Sequence, residues 1–152
     1  MNNKTKLHMS TDEFRKAGYK AIDWIADYYE KIEDYPVMSQ LSPNEIINNL
    51  PDNPPIEGKK FDDILKDMDL LMNGITHWQS PNFHAFFPCS TSGPGILGDL
   101  LSTGLAVNGM NWITSPSATE LEIHMLDWLV KMLDLPEYFL SSSSGGGAIQ
   151  DT

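Results

Sequence analysis

One stripe of side chains constrains the fold more than any other feature of the sequence. Phe14, Ala17, Ala21, Ile25, Tyr28 and Ile32 recur at steps of three and four residues, the period of one face of an α-helix. Ser10-Thr11-Asp12-Glu13 stands just ahead of them. It reads as a capping box, in which the serine oxygen meets first-turn amides and Glu13 reaches back. The pattern predicts a helix from about Thr11 to Glu33, stopped near Pro36, and ~34 Å long at the α-helical rise. Trp24 and Tyr29 widen the stripe. An aromatic face of that length needs a substantial partner surface, which another subunit could supply.

Further start and stop signals follow. Ser42-Pro43-Asn44-Glu45 predicts a short helix with proline at its first position, ended by Pro51. Prolines at 51, 54 and 55 make a semi-extended connector. Phe61, Ile64, Leu65, Met68, Leu71, Met72 and Ile75 form a third amphipathic stripe, with Gly74 near its end. His77 to Pro88 has neither helical nor clean strand period and holds rings at 77, 78, 83, 84, 86 and 87. It reads as an extended segment packed between two bodies, some of its rings lining a cavity. Pro94 opens a helix with Ile96, Leu97, Leu100, Leu101 and Leu105 on one face. After a turn-rich break at 108–112, Ser115-Pro116 and Ser117 with Glu120 both offer a start for the last helix. Leu121, Met125, Trp128, Leu129 and Met132 should be its buried stripe, and Leu135-Pro136 its end. Core packing is the ordinary meaning of all these stripes.

Charge removes some function classes. A net charge of -11, with nine lysines and Arg15 forming no basic stripe, argues against nucleic acid, whose phosphates need clustered cations. The apolar fraction of 41% and charged fraction of 20% are globular values. The lone Cys89 and the polar leader from Met1 to Ser10 favour a reducing, cytoplasmic setting. No apolar run is long enough to span a bilayer.

The chemistry-bearing signal is the run Ser141-Ser142-Ser143-Ser144-Gly145-Gly146-Gly147-Ala148-Ile149-Gln150. Glycines ahead of a helix let backbone N–H groups reach an anion, although a flexible linker has the same composition. No lysine follows Lys131, so this is not the lysine-bearing nucleotide loop. His77 and His84 have no metal-ligand spacing, and no metal is expected. Cys89 has no activating pattern around it. Asp99, Glu120, Glu122 and Asp127 lie in helices near serine and threonine caps, where capping or a solvated face accounts for them.

Four segments in order go further: His77-Trp78-Gln79-Ser80-Pro81-Asn82-Phe83-His84-Ala85-Phe86-Phe87-Pro88; Ser115-Pro116-Ser117-Ala118-Thr119-Glu120-Leu121-Glu122; Met125-Leu126-Asp127-Trp128-Leu129 running to Leu135-Pro136; and Gly145-Gly146-Gly147-Ala148-Ile149-Gln150. Together they closely resemble the aromatic-L-amino-acid decarboxylases, the group II pyridoxal-phosphate (PLP) decarboxylases. The leading helix and the Ser42-Pro43 element fit that family's first segment, so the likeness runs from about Met9 to Thr152.

The resemblance implies a mostly α part of a larger molecule: an N-terminal helical, dimer-wrapping segment over 1–88, and over 89–152 the start of the α/β large domain of a type I PLP fold. It implies a homodimer acting on a small amino-acid substrate, with no nucleic-acid or membrane partner. Phe86, Phe87, Pro88 and Cys89 match the family's substrate-pocket strand, where a threonine is common at the position of Cys89. Asn108 and Met110 match a loop lent to the neighbouring subunit's pocket, where an aromatic residue is common at the position of Met110. Thr152 falls at the edge of the groups that hold the PLP phosphate. The lysine that bonds the cofactor, its aspartate partner and a stacking histidine are expected downstream, so these residues alone should be inactive. A PLP-dependent aromatic aldehyde synthase of the same family, and a helical interaction module without catalysis, are the alternatives.

Overall fold

The computed structural model describes residues 9–87 and 91–149, and among them every regular element is helical. The chain divides into two units, one through residue 91 and one from Ser92 onward. No helix is long and apolar enough to cross a membrane.

In the first unit, α1 spans Thr11–Glu30 and a 3-10 turn follows at Ile32–Asp34. The capping box forms in full. The Ser10 hydroxyl oxygen accepts from the Glu13 amide at 3.2 Å, and the Ser10 amide donates to the Glu13 carboxylate at 2.8 Å. The helix stops three residues short of the predicted end because the Lys31 amide is shared between the Asp27 and Tyr28 carbonyls and the last turn tightens. Of the stripe, Ala17 and Ile32 are buried while Phe14 is exposed. α1 packs against α3 (Phe61–Met72), and the Lys20 ammonium also reaches the Asp62 carboxylate. That contact holds the Asp62 carboxyl below its ordinary value.

The Ser42 signal works differently from its reading as a cap. Asn44 takes the left-handed conformation (φ 71°), and α2 begins one residue later, covering Glu45–Asn48. Pro43 therefore lies outside the helix. The Ser42 amide still donates to the Glu45 carboxylate at 3.0 Å. Leu41 and Ile46 pack where α3 ends. A Cβ on Gly74 would sit 3.2 Å from the Ile46 side chain and 3.4 Å from that of Leu41, so glycine permits the close approach.

In the second unit, Ser92 caps α4 (Gly93–Gly104) by accepting from the Gly95 amide at 3.2 Å. Of the two starts offered to the last helix, Ser115 is used. Its hydroxyl accepts from the Ala118 amide at 3.4 Å, and Pro116 is the first residue of α5 (Pro116–Met132). Both helices close through a left-handed residue that is not glycine. At Ala106 φ is 51°, and the Val107 amide reaches back to the Ser102 carbonyl at 3.3 Å. At Asp134 φ is 50°, and the Leu135 amide reaches Val130 at 2.9 Å. These are Schellman-type closures. A 3-10 turn at Glu137–Phe139 packs back on α5.

The apolar faces of α4 and α5 are not the buried stripes that the sequence suggests. Leu97, Leu100, Leu101 and Leu105 are exposed, and so are Leu121, Met125, Trp128, Leu129 and Met132. Only Val130 of α5 is buried. Two helices and one short turn do not provide enough surface to cover both faces.

Candidate functional site

Residues 77–87 form turns and bends rather than an extended segment. His77 anchors them. Its amide donates to the Val37 carbonyl at 2.9 Å, and its Nδ1 lies 2.9 Å from the Tyr28 hydroxyl. Its ring stacks on Tyr35 with centroids 4.7 Å apart, and only 1% of the residue is exposed. Burial raises the Tyr28 hydroxyl pKa, and the neighbouring Tyr29 and Tyr35 add to the rise. His77 is thus a fixed core group and not a ligand to anything outside.

Beyond that anchor the Trp78, Phe83 and Phe86 rings make a cluster. Trp78 lies 5.0 Å from Phe83 and 5.5 Å from Phe86, while Phe83 and Phe86 meet edge to face at 5.9 Å. Such tilted and perpendicular pairs are favourable aromatic geometries. Phe86 keeps 64% of its surface and Phe87 92%, so the cluster presents ring surface outward. Pro88 and Cys89 lie outside the described residues. Trp78 and Phe83, which the sequence reading did not single out, are the side chains that fix Phe86. A tryptophan five residues before a phenylalanine was the available signal, but no secondary-structure period connects them.

In the second unit, the Asn108 side chain accepts from the Met110 amide at 3.0 Å, making a tight local turn, and Met110 is exposed. Asn111 and Thr114 brace the following turn, and the Trp112 indole donates to Glu120 at 3.1 Å.

The serine-glycine run lies along α5. The Ser141 amide and hydroxyl each donate to the Asp127 carboxylate at 2.7 Å. These two bonds, the amide first, hold the Asp127 carboxyl below its ordinary value. Further along, the Ile149 amide donates to Glu122 at 3.1 Å. Ser143 donates to the Leu140 carbonyl at 2.9 Å and accepts from the Gly145 amide at 3.0 Å. A Cβ on Gly145 would run into the Tyr138 carbonyl, and Gly146 has φ 75°. Glycine is therefore required at both places, for a close approach and for a left-handed turn. Among the described residues the amides of Gly146, Gly147 and Ala148 have no hydrogen-bond partner. This turn of amide donors suits an anion. Glu122 and Asp127, which read from the sequence as capping or solvated, are the side chains that hold it. Gln150 and Thr152 lie outside the described residues. Among those described, no group of three or more His, Cys, Asp or Glu side chains could hold a metal ion.

Residues 43–152 match the pyridoxal-dependent decarboxylase conserved domain. The chain is 49% identical over 150 residues to a phenylacetaldehyde synthase of Petunia hybrida, covering 98% of this chain and 30% of that protein. It is 48% identical over 145 residues to tyrosine decarboxylase 2 of Narcissus pseudonarcissus, covering 95% and 29%. The crystal structure of Catharanthus roseus tryptophan decarboxylase in complex with L-tryptophan superposes with a TM-score of 0.89 at 44% identity, over 95% of this chain and 31% of that one. The chain spans about a third of the length of the relatives it matches.

Proposed function

The chain belongs to the pyridoxal-dependent decarboxylase family, and on that premise we propose that it is the leading part of an enzyme that removes the carboxyl group of an aromatic L-amino acid. The products are carbon dioxide and the amine. The observation that supports this reading is the glycine turn, held on α5 by Asp127 through the Ser141 amide at 2.7 Å and by Glu122 through the Ile149 amide at 3.1 Å, because in the family the groups that hold the phosphate of pyridoxal phosphate follow directly after it. Thr152, by its place in the sequence, falls at the edge of those groups. The bonding amine does not come from the run itself, since the last lysine of these residues is Lys131. When bound, the cofactor supplies an electron sink for the pair left on Cα as carbon dioxide departs.

The chain's own residues position and enclose. On this reading Phe86 and Phe87 face the substrate ring, with Trp78 and Phe83 fixing Phe86, and Pro88 and Cys89 belong to the same pocket segment by sequence alone. Flat rings suit an aromatic side chain and keep water from the reacting carbon. A thiol at Cys89 is a weak hydrogen-bond donor, so it contributes shape more than polarity. Asn108 and Met110 complete the pocket of a second copy in a homodimer, and the exposed apolar faces of α4 and α5 support a larger assembly. The enzyme works in the cytoplasm on this reading, which the single cysteine supports.

A second reading is supported by the likeness to the Petunia phenylacetaldehyde synthase, as high as that to the Narcissus tyrosine decarboxylase. The same substrate would then give carbon dioxide, an aldehyde and ammonia, with oxygen and water consumed and hydrogen peroxide formed. One assay separates the two. The full-length enzyme, supplied with PLP and L-tyrosine, L-dopa, L-tryptophan or L-phenylalanine, should release carbon dioxide and an equal amount of amine. Aldehyde with ammonia and oxygen uptake selects the second reading, and no carbon dioxide from any of the four overturns both.

A further inference from the structure

We propose that Asn108-Gly109 is a site of spontaneous covalent modification, at which the Gly109 amide attacks the Asn108 side chain and converts it to isoaspartate and aspartate. The second Asn-Gly pair of these residues, Asn73-Gly74, is protected by its place in the fold. The chemistry is local, so it stands independently of the cofactor reading above.

Both pairs set an asparagine carboxamide beside a glycine nitrogen that no Cβ shields. Structure is what separates them. Asn108 and Gly109 lie in an exposed, irregular stretch between α4 and α5. Among the described residues nothing accepts from the Gly109 amide, and a Cβ built on Gly109 meets nothing within 4 Å. The nucleophile is free and the space around it is open. The electrophile is prepared as well. The Met110 amide donates to the Asn108 Oδ1 at 3.0 Å, the atom on which negative charge develops as Cγ becomes tetrahedral. That distance suits an oxyanion-hole donor. The same bond folds the carboxamide back along its own backbone, towards the nitrogen that attacks it.

Around Gly74 these conditions are reversed. The Gly74 amide donates to the Leu71 carbonyl at 2.8 Å, and Asn73 closes α3 in a helical conformation at φ -71° and ψ -17°. The Ser39 hydroxyl donates to the Asn73 carbonyl at 3.1 Å and pins the peptide plane that the attack would have to turn. The Ile46 and Leu41 side chains crowd Gly74 from one side. Reaction at this pair requires the end of α3 to open first.

The step balances with water as its one co-reactant. The Gly109 nitrogen gives its proton to solvent and bonds to the Asn108 Cγ. The Cγ–Nδ2 bond then breaks, and Nδ2 takes up a proton and leaves as ammonia. Water opens the resulting succinimide ring. Addition at Cγ gives aspartate, and addition at the main-chain carbonyl gives isoaspartate, with the chain rerouted through the side chain. Either product adds one negative charge to the loop. On the reading above this loop completes a second copy's pocket, and a pocket open to a substrate is open to that water.

The test follows the full-length enzyme by peptide mapping with mass spectrometry during storage in warm, mildly alkaline buffer. The Asn108 peptide should first lose ammonia and then gain the mass of deamidation, with isoaspartate exceeding aspartate. Its rate should exceed that at Asn73 by about 10-fold, on the scale of opening one backbone hydrogen bond. In urea the two rates should converge, because the fold no longer separates the pairs. Gly109→Ala, whose methyl group fits the open space there, should slow the Asn108 reaction several-fold with the melting temperature unchanged. An Asn108 that stays unmodified in the assembled enzyme would overturn the proposal. So would equal rates at the two pairs in the folded enzyme, or a difference that persists in urea.

Discussion

The Tyr28 hydroxyl and the Nδ1 of His77 share a hydrogen bond of 2.9 Å across forty-nine residues of chain. It joins α1 to the segment that carries the Trp78, Phe83 and Phe86 rings. Replacing Tyr28 by Phe leaves a buried imidazole nitrogen without its partner, which costs about 1–3 kcal/mol. Tyr28→Phe combined with His77→Leu removes both polar groups, so urea unfolding of the double variant should recover much of that loss. A double variant that adds both single costs would mean that the bond contributes little and that ring packing dominates.

The same hydroxyl predicts a loss of stability in alkali. Burial, then the neighbouring Tyr29 and Tyr35, raises its pKa, so above pH ~10 the folded chain holds a proton that the unfolded chain has released. The unfolded state binds fewer protons there, and stability falls as pH rises. The contribution is complete below the ordinary tyrosine value and disappears as pH climbs through the raised one. Urea midpoints of the parent protein at pH 8, 9.5 and 11 should fall more steeply over the last interval than those of Tyr28→Phe. Parallel curves would assign the alkaline loss to other groups.

Ala106 closes α4 at φ 51°, where a Cβ costs roughly 1–2 kcal/mol. Ala106→Gly removes that cost and gives back part of it as unfolded-chain entropy. The net expectation is a gain of about 0.5–1 kcal/mol in thermal or urea unfolding. The equivalent change at Asp134 should gain less, since aspartate tolerates the left-handed region better. Destabilisation by Ala106→Gly would mean that its methyl group makes contacts worth more than the strain.

The helices were legible because their signals are local. The Ser10 box, the Pro94 start, the Ser115 cap and the three-four periodicity each lie within a few residues of what they determine. The Ser42 signal misled by a small margin, because a left-handed Asn44 carries the turn that a proline start was expected to make. Burial on α4 and α5 was misjudged for a different reason. Periodicity reports which face is apolar and is silent about what covers it. The glycine run was visible as a candidate for anion binding, whereas its holders were not. A carboxylate that accepts a loop amide fourteen or twenty-seven residues away leaves no spacing to read. His77 was likewise unreadable as an anchor, since its partner is a tyrosine on another helix.

Those two separations also decide when the glycine turn can form. Contacts fourteen and twenty-seven residues apart close loops not far from the ten-residue size that shuts in about 10–100 ns, and chains rich in such contacts fold early and fast. As the polypeptide leaves the ribosome, α5 can receive the glycine run as soon as Ile149 is free. The glycine turn is in this sense a co-translational product, assembled from its own neighbourhood.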